Sequence, residues 1–590
     1  MRTGGKYLAV IISTALILSL LSAVITIYTP LTAFAAMNIW YVDQDAAGTD
    51  NGMSWTDAFN YLQDALAAAT EGDQIWVAAG SYSPDQGAGN TPDDPAATFT
   101  LKNAVAIYGG FAGYETTLEE RDWKVHKSIL SGDLGGGLNS YHVVTCSSIG
   151  ETSILDGFTI TAGNANGSSS PNYHGGGVYN NAGNPSLINC TFSGNTANRD
   201  GGGMYNHSGS PNLTNCTFDQ NTALRYGGGI YNYAGSPTLT HCNFSGNTAQ
   251  SEGGGMFNFS GSNPDLKNCT FSDIYGYTGG AVLNNRSSGT FTNCIFTGNS
   301  AEIGAGMANF HICSPILINC IFTGNSASSY GGGMFNFDSD PTMVNCTFSG
   351  NSAVYGGGMD SYDSLPAITN CILWDNTSPN GAQLAVGAGS ILAINNCDVQ
   401  GGMAGIRVTG GGIVNWGAGN IDAIPEFADP DGLDNILGTT DDNLKLMVGS
   451  PCIDAGDNAA LPVTIATDLD GSQRIIDGNN DGTATVDMGA YECEAAKMEL
   501  PPPEDQIEDV ISEVEDLVSD GALNKGQGNA LVSKLESALS ALSKGNIGAA
   551  VNKLQAFINQ VNAYQEADIL IKEDADSLRQ AVEDVINSII

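Results

Sequence analysis

Nine cysteines mark a fixed beat along the middle of this 590-residue chain. Cys190, Cys216, Cys242, Cys269, Cys294, Cys320, Cys346, Cys371 and Cys397 follow one another at intervals of 26, 26, 27, 25, 26, 26, 25 and 26 residues. An asparagine precedes each of them except Cys242, which follows His241. Glycine triplets keep the same beat at 201–203, 227–229, 253–255 and 331–333. A catalytic group is needed once, whereas a residue needed in every repeat is holding the fold together. A period of this length means that one structural unit stacks on copies of itself.

Within one repeat, apolar residues alternate over short distances and then break at Gly, Asn, Ser or Pro. Cys190 and Phe192 fit one face of a strand, and Met204 and Asn206 fit one face of another. Nothing here has a helical period. Three short strands and their turns in each repeat describe one coil of a parallel β-helix, a mainly-β fold. Coils stack at the interstrand spacing of about 4.8 Å, so about thirteen of them give a rod of roughly 60 Å. Equivalent residues then form columns. Asn tolerates a left-handed backbone, and its amide bonds to the Asn above and below. The columns Asn189, Asn215, Asn268, Asn293, Asn319, Asn345 and Asn195, Asn221, Asn247, Asn299, Asn325, Asn351 are therefore predicted to be ladders. Cys and Phe fill a narrow interior.

Two aromatic columns keep the period as well. Tyr179, Tyr205, Tyr231, Phe257 and Phe335 share one position; His207, Tyr233, Phe259, Phe310, Phe337 and Tyr362 share another, two residues on. If Met204 and Asn206 point inward, both columns face out and offer an aromatic stripe suited to stacking on sugar rings. In the opposite register they are core.

Charge excludes some partners. Lys+Arg number 20 against 62 Asp+Glu, a formal net charge of -42. Such a chain repels nucleic acid and anionic lipid and offers carboxylates to divalent cations. The first 35 residues read as a signal peptide: Lys6 is the last charge before Asp43, and the apolar run between them carries the small-x-small pattern Ala33-Phe34-Ala35. Export to the cell surface or the medium, with no membrane span after cleavage, is the expectation.

The remaining chain divides by pattern. Residues 36–125 are expected to hold an N-terminal cap and the first coils, with a helix N-capped by Ser54 that places Phe59, Leu62 and Leu66 on one face. Residues 126–420 are the repeats. Residues 421–495 break the period and carry 16 Asp+Glu against 2 Lys+Arg, while residues 161–370 carry 10 against 4. Acid is thus concentrated in this segment, read as the cap of the far end, which a rod with exposed strand edges requires. A Pro-rich linker, 496–503, leads to a helical pattern over 504–590, divided into about four helices by stop signals that include Gly521 and Gly545.

Calcium is the best-supported cofactor. Asp477-Gly478-Asn479-Asn480-Asp481-Gly482 fits the opening of a D-x-[DN]-x-[DN]-G loop, in which oxygens at the first, third and fifth positions surround a hard cation. Met488 stands where a bidentate Glu belongs, leaving Asp487 or Glu492 to substitute. Asp429, Asp431 and Asp434, with Asp441 and Asp442, form a second candidate. The alternative for all of them is a solvated Asx-rich turn. Along the rod, Asp338, Asp340, Asp360 and Asp363, one coil apart, come nearest to a set of paired carboxylates; solvated turn residues are the competing reading. Cys452 and Cys493 bracket the acidic segment and are the expected disulfide pair of an exported protein. The cysteine column is expected to be reduced and buried.

The phrase "GGGMYN…NCTFSGNTA" resembles the repeats of right-handed parallel β-helix proteins related to the pectate-lyase superfamily, over about residues 36–494. Ile421 to Glu494 is similar to the segment called choice-of-anchor Q in such proteins, and the C-terminal helices resemble a FIMAH-type module. The resemblance implies the fold, and it spans lyases, hydrolases, adhesins and proteins without known activity. A lyase site of that kind needs acids for calcium and a Lys or Arg base; the repeats offer Arg199, Arg225, Lys267 and Arg286, of which Arg225 is the candidate. With charges so sparse, the expectation is a non-catalytic exported protein that binds glycan or cell-envelope components through Tyr205, His207, Tyr231, Tyr233, Phe257, Phe259, Phe310 and Phe337. A polysaccharide lyase or glycoside hydrolase is the alternative.

Overall fold

The computed structural model describes residues 37–493, apart from residue 88, and residues 502–589, apart from residue 568. The expected signal peptide lies outside the described residues, as does most of the expected linker. The chain forms two compact units, one ending at Cys493 and one beginning at Glu494.

The first unit is a right-handed parallel β-solenoid. One coil runs through Ser186–Ile188, Thr191–Ser193, Thr196–Ala197 and Met204–His207. In that order the strands join four sheets, here sheets 1 to 4, of 14, 12, 7 and 12 strands. The short fourth strand, in sheet 3, adds to the three expected per coil. Pairing keeps register from coil to coil, Phe192 with Phe218 and Met204 with Ile230, apart from local shifts after Ala249, Ala301 and Phe310, so columns are real.

The interior shows why the repeat is so strict. Phe192, Phe218, Phe244, Phe271, Phe296, Phe322 and Phe348 stack with centroids between 4.4 and 5.2 Å apart. The cysteine column is buried, and all thirteen cysteines are free thiols. Beside them runs the Asn195 ladder. Asn221 Nδ2 donates to the Phe192 carbonyl at 2.9 Å and to Asn247 Oδ1 at 3.0 Å, while its own Oδ1 accepts from the Asn195 backbone N–H and Nδ2, both at 3.1 Å. A further buried ladder, not foreseen, links Asn180, Asn206, Asn232, Asn258, Asn284, Asn309 and Asn336, each Nδ2 donating to the next Oδ1 at 2.8–3.0 Å. The Asn189 column turns the corner between sheets 1 and 2 with φ near +50°, as at Asn215 (54°) and Asn319 (52°). Gly202 is required by closeness: a Cβ there would stand 2.5 Å from the Thr222 carbonyl oxygen of the next coil.

The N-terminal helix differs from expectation. α1 spans Leu62–Ala68, not Ser54 onward, and Ser54 with Asp57 forms a turn before it. Strand pairing is the reason: Phe59 N–H donates to the Tyr41 carbonyl and its carbonyl accepts from Asp43 N–H, both at 2.9 Å, which holds that residue extended. Leu62, Ala65 and Leu66 still close the first coils, packing into the core that the Cys and Phe columns continue.

The acidic segment is a side clasp rather than an end cap. It lies along sheet 2, where Phe427, Leu444, Leu446, Ile453 and Met488 form one core with Ile321 and Ile372 of the rod. It also uses the outer asparagine column. Asn293, Asn319, Asn345, Asn370 and Asn396 donate from Nδ2 to the carbonyls of Asp468, Thr467, Asp487, Asp457 and Ala455 at 2.7–3.4 Å. A corner that stacks donors at the coil spacing thus receives a chain that would otherwise leave its carbonyls unpaired.

The second unit is a four-helix bundle: α2 (Pro503–Ser519), α3 (Lys525–Leu542), α4 (Ile547–Glu566) and α5 (Lys572–Ile589). Each helix packs on its neighbour in sequence and the first on the last. Leu531, Leu535, Leu554, Phe557, Leu578 and Val582 fill the centre. Pro503, expected in the linker, is the first residue of α2, where its missing N–H costs nothing. Asn524 caps α3 by accepting from Gly526 and Gln527 N–H groups at 2.9 and 3.1 Å.

Asn221→Ala is expected to destabilise the rod by about 1–3 kcal/mol, because it leaves buried partners in two coils unpaired. Asn215→Gly, which keeps the left-handed turn at an outer corner, should cost less. Denaturant melts of the two variants check the order.

Candidate functional site

The outer face of sheet 4 is the one place where the repeat presents aromatic rings in rows. In the strand Met204–His207, Met204 and Asn206 are buried inward, so Tyr205 and His207 point out. Parallel register carries both positions along the rod: 205, 231, 257, 283, 308, 335 and 360 in one column, 207, 233, 259, 285, 310, 337 and 362 in the other.

The first column is outward but covered, contrary to an exposed stripe. Tyr205 is 9% exposed, Tyr231 6% and Phe257 2%. The cover comes from the residue before each glycine triplet, which folds over the sheet: Tyr226 stacks on Tyr231 at 6.0 Å and meets Phe257 edge-on at 5.0 Å, and Tyr330 lies 5.9 Å from Phe335. The second column is half-buried. His207 and Tyr233 stack at 5.2 Å, and Phe259 follows Tyr233 at 5.7 Å; Asn285 interrupts; then Phe310 and Phe337 stand 6.3 Å apart, followed by Tyr362. The rows define a groove that is filled rather than open: column one is its covered floor, column two is one wall, and the residues before the glycine triplets are the other.

Charged groups gather toward the ends of this groove. At one end the His174 ring stacks on Tyr205 at 4.4 Å, and its Nδ1 lies 3.1 Å from Asp200 Oδ2. His142 beside it is pushed down to about 4 by burial and is neutral, its Nδ1 3.0 Å from the Gly175 carbonyl oxygen. His174 and Asp200 both occupy the position before a glycine triplet. That position is readable in the sequence as the residue before the glycines, although its type changes from coil to coil. Arg225 lies over the Tyr226 ring at 4.2 Å and donates to its hydroxyl at 2.9 Å, so it belongs to the wall.

The four carboxylates proposed along the rod do not form one set. Asp338 and Asp363 sit on exposed left-handed turns, with φ of 51° and 48°. Asp340 is exposed, and its Oδ1 accepts the Leu365 N–H at 2.8 Å. Asp360 stands apart on the groove floor. It is fully buried, neither oxygen makes a well-formed hydrogen bond, and burial raises it to about 7 against the weaker opposing pull of the Ser361 N–H and Arg407.

In the clasp, the Asp477 loop brings its oxygens together. Asp481 N–H is shared by Asp477 Oδ1 at 3.0 Å and Asn479 Oδ1 at 2.9 Å, and Gly482 N–H reaches Asp477 Oδ2 at 2.9 Å. Asp487 does not close this loop. It is buried, accepting Asp454 N–H at 2.7 Å and Cys493 N–H at 2.6 Å. Glu492 is buried too, 3.5 Å from Arg474. Asp429 ends a strand and Asp434 accepts the Ile436 N–H of its own turn; Asp431 lends that N–H only a backbone carbonyl. Among the described residues, no group of three or more His, Cys, Asp or Glu side chains is arranged to hold a metal. Cys452 and Cys493 are not bonded to each other: Cys452 Sγ donates to the buried Asp398 at 3.2 Å.

Two stretches, residues 136–271 and 256–421, match the family described as right handed beta helix region, and residues 507–587 match the FIMAH domain. Among solved structures, pectate lyase Pel9A is 15% identical, over 78% of this chain and 98% of its own, with a TM-score of 0.36. A rhamnogalacturonan lyase is 11% identical, over 70% of this chain and 96% of its own, with a TM-score of 0.28. No curated protein matches. The class is a right-handed β-helix protein. This one carries the helix with an acidic clasp along its side and a FIMAH domain at its C-terminal end.

Arg474, Asp468, Asp487 and Glu492 share one buried site, and burial pushes all three carboxyls up by more than the one guanidinium among them pulls them down. Their folded pKa values exceed the unfolded ones, so the folded state holds more protons between the two. The stability they contribute is complete below about pH 4, the unfolded carboxylate range, and is lost as the pH rises through neutrality. The melting temperature is expected to fall between mildly acidic and mildly alkaline buffer, and less steeply in Asp487→Asn.

Proposed function

We propose that the protein is exported and binds glycan or cell-envelope polysaccharide along the outer face of sheet 4, without cleaving it. The observation that carries this reading is the half-buried second column, in two tracts: His207, Tyr233, Phe259 and Phe310, Phe337, Tyr362. Rings held by their neighbours with one side open lose little freedom on binding, and an aromatic face attracts the polarised C–H groups of a sugar. Cleavage needs groups with opposed roles around one point, and the carboxylates on this face lie apart. Export is supported by the charge-free apolar run before Asp43 and the small-x-small pattern at its end. No helix among the described residues is long and apolar enough to cross a membrane. We assign the helical bundle a docking or structural role.

Tyr233→Ala with Phe259→Ala is expected to weaken binding to an immobilised polysaccharide by about tenfold or more, with a modest fall in melting temperature. Tyr231→Ala with Phe257→Ala should destabilise far more, by several kcal/mol (~3 or more for each fully buried ring). Release of unsaturated or reducing sugar ends by the wild type would overturn the non-catalytic reading.

Calcium belongs to the proposal as the ligand of Asp477, Asn479 and Asp481, whose shared N–H donors hold their oxygens close. A chelator is then expected to lower the melting temperature of the wild type and not that of Asp477→Ala with Asp481→Ala. Identical wild-type melts with and without chelator would remove calcium from the account.

A further inference from the structure

The groove floor is apolar along most of its length. After the tyrosines come Phe257, Leu283, Ala308 and Phe335, and beyond Asp360 comes Ala385. Asp360 alone breaks the series between Phe335 and Ala385. It is 0% exposed, and neither carboxyl oxygen makes a well-formed hydrogen bond: the Ser361 N–H and the Arg407 guanidinium pull against its burial without offsetting it. Buried polar atoms are almost always paired, because an unpaired one costs stability. Leucine, phenylalanine and alanine occupy the same position in other coils, so the fold itself has no need of an acid there. A buried group that breaks the local rule without structural gain is a mark of function.

Its surroundings are those of a ligand site. Tyr330 and Tyr355 stack at 5.2 Å, and Tyr362 meets Tyr330 edge-on at 6.2 Å and Phe335 at 6.3 Å. Arg407, two coils on in the same column, lies over Tyr355 at 5.4 Å and is electrostatically coupled to Asp360. Among the described residues its guanidinium has no hydrogen-bond or ion-pair partner. These three tyrosines and Arg407 are all half-buried.

We propose that Asp360 is the polar anchor of the groove, accepting hydrogen bonds from the hydroxyl groups of a neutral sugar residue stacked on Tyr362, while Arg407 donates to that sugar's oxygens. The inference rests on the glycan-binding reading and adds a place and a ligand class. Charge selects the class: Arg407 disfavours a second cation and Asp360 an anion, whereas a neutral polyhydroxylated ring satisfies both. Burial that lifts the carboxyl toward neutrality lets it donate as well as accept. Because Asp360 is covered, contact with a ligand requires its half-buried neighbours to move aside.

The test uses the mature full-length protein against immobilised glucan, mannan and galactan, with polygalacturonate as the anionic comparison. Asp360→Leu and Asp360→Ala reproduce residues already found in the column. Asp360→Leu is expected to raise the melting temperature by about 2–4 °C, and both variants to weaken binding of a neutral glycan by about tenfold or more. Asp360→Asn, which keeps an acceptor and a donor, is expected to retain most of the binding. Wild-type affinity in the Leu and Ala variants overturns the anchor and leaves the groove reading intact. Wild-type binding to polygalacturonate alone also overturns the anchor. No binding by the wild type to any of the four overturns both. If Asp360→Leu does not fold, the contrast between Asp360→Ala and Asp360→Asn decides.

Discussion

A buried amide has two donors and an acceptor to satisfy, and in the Asn195 ladder the partner for each is the same residue one coil away or a backbone carbonyl of the coil before, while in the Asn206 ladder the carbonyl lies three residues on in the same coil. That reciprocity is what the structure depends on. If Asn221 moves by one residue in register, Asn195 loses an acceptor, Asn247 loses a donor and the Phe192 carbonyl is bare. An apolar column tolerates slippage, since one phenylalanine packs on the next at many offsets. An amide ladder does not. Two such ladders on different sides of the cross-section fix rotation as well as spacing, and only then do the outer columns repeat closely enough to form a continuous surface.

The same logic extends outward. The corner asparagines adopt left-handed φ to turn the chain, which points their amides away from the core. Over the earlier coils they bond mainly along the column, Asn215 to Asn189 at 3.2 Å. Over the later ones they hold the clasp. A device that serves the turn therefore becomes a docking strip, because it places donors at the strand spacing, where an extended chain offers carbonyls. The glycine triplets play a similar double part. They let coils approach closely, and the residue just before each one is thrown over sheet 4, where it sets how much of the aromatic floor is covered.

These links explain what was legible in the sequence. The period gave the coil, the common face of Met204 and Asn206, the Phe and Cys interior and the Asn195 ladder, since all are local patterns repeated; the period leaves open which way that face points. The four helices were legible from apolar spacing and glycine stops. The clasp was not, because its docking on Asn293 to Asn396 joins residues more than 50 positions apart with no shared pattern. Position in the chain suggested an end cap, and side-on docking was visible only in three dimensions. The pairing of Cys452 with Cys493 failed for a related reason: proximity in a small acidic segment says nothing of where a thiol points, and Cys452 turns to Asp398 of the rod. Whether the aromatic columns face out or in was open in the sequence; they face out, and the first is covered from a variable position, which no repeated pattern reveals.

The buried acids of the clasp and the one in the groove show how alike burial and unlike surroundings separate a structural group from an available one. Asp468 accepts Ser472 N–H at 2.8 Å and Glu492 N–H at 2.8 Å; Asp487 accepts two further backbone N–H groups; a guanidinium stands among them. Every oxygen there is committed to holding one loop against another, so replacing any of these acids breaks contacts that already exist. Asp360 has the burial without a well-formed hydrogen bond. The Ser361 N–H and Arg407 pull only weakly on it, and the rings and the guanidinium beside it are half-buried. A buried carboxyl so weakly held by the protein can still take up a hydrogen bond from outside, and the half-buried rings beside it suit a hydroxyl-bearing ring with an apolar face.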